Sequence, residues 1–101
     1  MSTSTTHKIV EVLRETRAFL ARPDNDFAWS HWASAAEALG EFDGFVTLIE
    51  SGDFSGRHGL ELLFGPTGSI QEVSISSGWD DEFLALAARF DTANKRVGES
   101  Q

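Results

Sequence analysis

An α+β fold, with an antiparallel β-hairpin packed against three helices in the order helix, helix, strand, strand, helix, is predicted from three observations. Segments near both ends repeat apolar residues at three-and-four spacing, the mark of amphipathic helices. Between them, two short alternating apolar runs flank Gly65-Pro66-Thr67-Gly68, which reads as a turn. Finally, 101 residues without cysteine allow one core and no disulfide or thiolate metal site, so packing alone must hold the chain together as a single domain, 1–101.

The first helix is expected over residues 6–22. Ile9, Val12, Leu13, Thr16, Phe19 and Leu20 form one stripe, Arg17 and Arg22 suit the carbonyl-rich end, and Pro23 stops it. Asp24-Asn25-Asp26 offers caps for a second helix, expected over 27–51. Phe45 to Ile49 alone resembles a buried strand. Read with Trp32, Ala35, Leu39 and Phe42, however, Val46 and Ile49 continue a helical repeat, and Gly52 suits the left-handed terminating position. Gly40 and Gly44 allow a bend there.

Residues 53–59 read as a loop, and the hairpin follows. Setting Phe64 opposite Ser69 places Leu60, Leu62, Phe64, Val73 and Ile75 on one face, with Leu63 and Ile70 on the other. Ser77 and Gly78 end it. Asp80, Asp81 and Glu82 open the third helix, Phe83, Leu86, Ala87, Phe90 and Ala93 supply its stripe, and Lys95 and Arg96 lie at its far end. Residues 1–5 and 97–101 are expected to fray.

A net charge of −8 excludes nucleic acid as a partner, because neutralising phosphates requires clustered Lys and Arg. No apolar run reaches membrane-spanning length and the N-terminus has no secretory pattern, so a soluble cytoplasmic protein is expected. The charge is unevenly placed: residues 1–22 carry +2, residues 23–56 carry −7 with no basic group, and residues 57–101 carry −3. Glu37, Glu41, Asp43 and Glu50 on the second helix therefore form a partner-binding surface for a basic protein, which steering would bring in quickly. Solubility is the simpler use of such a surface.

No catalytic constellation is legible. Serines and three histidines are present without a Gly-x-Ser-x-Gly elbow, and His7, His31 (placed on the second helix) and His58 form no metal-ligand pair. Asp53 with His58 would be half a site at most and reads better as a solvated loop pair, and consecutive Asp80, Asp81 and Glu82 splay around a helix rather than converge. The Gly65–Gly68 turn has neither the lysine nor the following helix of a phosphate loop. No cofactor or metal is implied. Core packing is the ordinary fate of Trp29, Trp32 and Trp79, although with eight phenylalanines also needing burial one tryptophan can be left at the surface.

The runs Asp26 to Trp32 and Leu63 to Gly68, with Gly78-Trp79, resemble those of small bacterial proteins of unassigned function; the resemblance implies no activity and no site residue. Two functional expectations follow. One is a non-enzymatic protein-binding module of inhibitor or immunity type that uses the acidic helix. The alternative is a small ligand-binding protein or enzyme with a pocket near Arg57, His58 and Trp79. A homodimer is expected to cover the hairpin's open face or edges.

Overall fold

The computed structural model describes residues 3–66 and 68–100, and among them every regular element is a helix: α1 (Thr3–Leu20), α2 (Ala35–Glu50), α3 (Arg57–Phe64), α4 (Ser69–Ser77) and α5 (Asp80–Ser100). The expected α+β class is therefore corrected to all-α. The hairpin is absent from the described residues; its two runs are α3 and α4, joined by the Gly65–Gly68 connection.

Leu60-Glu61-Leu62-Leu63-Phe64 satisfies period 2 through 60, 62 and 64, and period 3.6 through 60, 63 and 64. Five residues cannot separate the two. Burial does. Leu60, Leu63 and Phe64 are in the core, whereas Leu62 is 63% exposed; across the turn Ile70 and Val73 are buried and Ile75 is 56% exposed. The physical reasons favour the helix. A lone two-stranded ribbon is marginal in water, and residues 57–64 contain Leu, Glu and Arg but no β-branched side chain. A helix also satisfies its backbone groups internally, whereas a hairpin leaves its edges open.

The second helix passes through 45–49 as the longer repeat predicts, and Gly52, at φ +85°, ends it in the left-handed region. Its start is corrected from Phe27 to Ala35. Ser34 is the cap, accepting the Glu37 N–H at 3.2 Å, while Glu37 accepts the Ala33 N–H at 3.0 Å. This is a variant of the Ser-x-x-Glu capping box, readable at 34–37, in which the glutamate reaches the N–H one residue before the cap. Residues 21–34 form an irregular segment instead. Asn25 within it caps the other helix, donating to the Phe19 and Leu20 carbonyls that end α1, and accepts the Trp79 indole N–H at 2.9 Å.

Pair order sets the packing. Arg14 meets Glu50 and Arg17 meets Asp43, so α1 and α2 run antiparallel. Phe19 stacks on Trp79 and Glu15 bonds Arg89, so α1 and α5 do too. Arg57 bonds Asn94 while Phe64 stacks on Phe90 and Phe83, so α3 lies antiparallel on α5. Two glycines permit close approach. A Cβ on Gly59 would fall 2.7 Å from the Phe45 ring, and one on Gly68 would fall 2.5 Å from the Leu62 carbonyl oxygen. The α5 stripe holds through Phe83, Leu86, Phe90 and Ala93 and continues to buried Val97, inside the segment expected to fray. The fraying expected at Met1, Ser2 and Gln101 lies outside the described residues.

The helical assignment separates Leu60 from Leu62 sharply. Leu60→Ala should cost about 2–5 kcal/mol, as core truncations do. Leu62→Ala should stay within about 0.5 kcal/mol, as surface changes do. Urea denaturation of the two variants measures both; equal losses would restore the strand.

Candidate functional site: the cleft between Trp29 and α4

The two clusters predicted from sequence are dispersed. On α2, Asp43 and Glu50 turn toward α1. Arg17 holds Asp43 through both oxygens, Nε to Oδ1 at 2.6 Å and Nη2 to Oδ2 at 2.9 Å, and Arg14 bonds Glu50. Glu37 closes the capping box. Glu41 Oε1 accepts the Trp32 indole N–H at 3.1 Å and faces His31 Nε2 at 3.2 Å. The four acids thus form two pairs directed to different neighbours rather than one open face.

Arg57, His58 and Trp79 do not share a pocket. Arg57 Nε donates to buried Asn94 Oδ1 at 2.8 Å, and Asn94 Nδ2 donates to Glu61 at 2.7 Å. His58 is exposed beside Glu61, with Nδ1 and Oε1 3.6 Å apart. Trp79 is buried against Phe19 just before α5 begins, fifteen residues before Asn94, or roughly 22 Å along a helix. Among the described residues no three His, Cys, Asp or Glu side chains gather to hold a metal ion.

A third place brings chemistry together. An open cleft of about 440 Å³ is lined by Trp29, His31, Leu62, Leu63, Gly68, Ser69 and Glu72. Trp29 is 74% exposed, and with Leu62 it gives the cleft two large apolar side chains facing solvent. Trp32 and Trp79 take the core role instead. At the cleft floor Ser69, the first residue of α4, accepts the His31 backbone N–H at 3.2 Å, and its hydroxyl bonds His31 Nδ1. His31 lies in the irregular segment before α2, which corrects its expected place on that helix.

The sequence hides this site for a simple reason: His31 and Ser69 are 38 residues apart, and nothing local links them. One signal was available. The capping box at 34–37 starts α2 late and frees residues 27–33 to be a loop carrying Trp29 and His31.

No known family model, curated protein sequence or solved structure matches this chain.

Charge pairing fixes the pH response. The Arg17 guanidinium holds the Asp43 carboxyl below its ordinary value, Arg89 does the same to Glu15, and the Ser55 N–H does so to Asp53. A carboxyl whose folded pKa is depressed contributes stability above its unfolded value, and that contribution is lost as pH falls through the folded one. Melting temperature should therefore hold through neutral pH and drop below about pH 4, where unfolded carboxyls begin to protonate. Asp43→Asn should lower the melting temperature at pH 7, and the gap to the parent should shrink towards pH 2. A gap independent of pH would mean that the ion pair contributes nothing.

Proposed function

We propose that the protein is a protein-binding module whose cleft beside α4 receives a basic partner segment carrying an apolar anchor. The single observation that carries this reading is Trp29, 74% exposed and lining one cleft with exposed Leu62 and with Glu72. Tryptophan is among the residue types enriched at binding hot spots, and here it shares one concave surface with a second exposed apolar side chain, Leu62, rather than standing alone. The occupant's charge follows from the chain's own. At −8 the molecule attracts cationic surfaces from a distance, and the acidic middle third of the sequence, residues 23–56, includes Trp29 itself. A second copy would bring the same negative field to the same cleft, which disfavours self-association there.

This reading moves the binding surface predicted from Glu37, Glu41, Asp43 and Glu50. Asp43 and Glu50 serve the α1–α2 contact, and Glu37 and Glu41 fasten the loop that carries Trp29. Their charges add to the steering field, while the contact itself belongs to Trp29 and Leu62.

The test uses a lysine-rich amphipathic peptide with one central leucine or phenylalanine, titrated while tryptophan emission is followed. Binding should shift the emission, weaken steeply as salt rises from 50 to 300 mM, and fall at least tenfold with Trp29→Ala. A neutral peptide of the same apolar pattern should bind at least tenfold more weakly. Equal binding of both peptides, or an unchanged Trp29→Ala titration, overturns the proposal. So does a concentration-dependent dimer by light scattering that Trp29→Ala abolishes, since the cleft would then serve a second copy.

A further inference from the structure

We propose that Ser69, His31 and Glu41 form a nucleophilic triad that transfers the acyl group of small uncharged esters. This goes beyond the partner-binding reading and does not rest on it, because the proton relay is carried by side chains at the floor of the cleft.

The network assigns the protons. Glu41 Oε1 faces His31 Nε2 at 3.2 Å, and a carboxylate is an acceptor only, so Nε2 carries the hydrogen. Nδ1 is then the basic nitrogen, and it faces the Ser69 hydroxyl. The order nucleophile, imidazole, carboxylate is the one that makes a serine reactive, recognised by geometry and not by sequence position. The ring nitrogens have exchanged places, which leaves the proton path intact. Glu41 is itself fixed, since the Trp32 indole N–H donates to the same oxygen at 3.1 Å, and Trp32 is buried.

Ser69 is equally well held. A hydroxyl has one proton and two lone pairs. The proton goes to Nδ1, one lone pair accepts the His31 N–H at 3.2 Å, and the other remains for an electrophile. The residue is only 8% exposed, yet it lines the open cleft with Leu62, Leu63 and Trp29, so a substrate reaches it from that side. Its position at the start of α4 puts the developing oxyanion near the positive end of a helix, and among the described residues no side chain caps that end. Gly68 is required beside it, because a Cβ there would meet the Leu62 and Leu63 carbonyl oxygens at 2.5 and 2.7 Å.

The reaction balances without a cofactor. Ser69 Oγ attacks the ester carbonyl carbon as its proton passes to Nδ1. The carbon–oxygen bond to the alcohol breaks, and the leaving alkoxide takes that proton. Water then attacks the acyl-serine with Nδ1 accepting its proton, releasing the acid and restoring the hydroxyl. The apolar walls suit a short aliphatic or aromatic acyl group, and Glu72 on the cleft excludes anionic ones.

Treatment with a fluorophosphonate followed by peptide mass spectrometry tests this on the intact protein. One adduct is expected, on Ser69, formed at least tenfold more slowly in Glu41→Gln and His31→Ala that retain the parent's circular dichroism. Hydrolysis of p-nitrophenyl acetate should exceed that of Ser69→Ala at least tenfold. The chain has no native cysteine, so Ser69→Cys introduces a single thiol. Its alkylation by iodoacetamide should persist to lower pH than in the Ser69→Cys, His31→Ala double variant. An unlabelled Ser69 in the parent under excess probe, label spread over other serines, or identical alkylation profiles would each overturn the triad and leave Ser69 and His31 as a clasp holding the loop.

Discussion

The short helix α3 is tied into the fold by the buried ring of Phe64. It stacks on Phe90 with centroids 4.2 Å apart and planes 6° from parallel, and it also meets Phe42 and Phe83 at 6.4 Å each. One residue of α3 thereby joins α2 to two positions on α5 that lie about two turns apart. Aromatic pairs add about 0.5–1.5 kcal/mol each beyond their buried area, a large share of the margin for a domain of this size. With no disulfide available, nothing covalent substitutes for this contact.

Phe64 also explains why the strand reading fails. A hairpin puts Phe64 beside Leu62 on one face; a helix puts it beside Leu60 and Leu63. Only the helix buries Leu60, Leu63 and Phe64 together while turning Leu62 to solvent. The long helices are legible because their repeats run for about three turns or more, a length at which the period is unambiguous. Residues 60–64 and 69–75 were not, because each is short enough to fit two periods and the choice is made by α5, distant in sequence. The late start of α2 was legible through Ser34 and Glu37, but the acidic caps at 24–26 offered a competing start with equally good chemistry.

Charge tells a similar story about the site. Counting acids locates the negative third of the chain correctly, yet a count cannot say which acids face basic groups across a helix contact. Asp43 and Glu50 have no basic group near them in sequence, and their arginines lie on α1, 26 and 36 residues away. Exposed ion pairs of this kind contribute little to stability individually. Both join α1 to α2. The net field survives them, because neutral pairs leave the total at −8.

The loop of residues 21–34 then acquires a purpose from how it is fastened. Asn25 ties its beginning to α1 and Trp79, the Asp26 N–H donates to Ser77 Oγ at 2.9 Å, and His31 ties its end to Ser69 and Glu41. Trp29 stands between these fastenings with its ring outside. A loop held at both ends loses little conformational freedom on binding, and ordering cost is what most often separates a weak anchor from a strong one. A tryptophan serving the core would be turned inward, as Trp32 is only three residues later. The same fastening that leaves Trp29 exposed also sets His31 against Ser69, so the proposed anchor and the proposed triad would both rest on one set of hydrogen bonds.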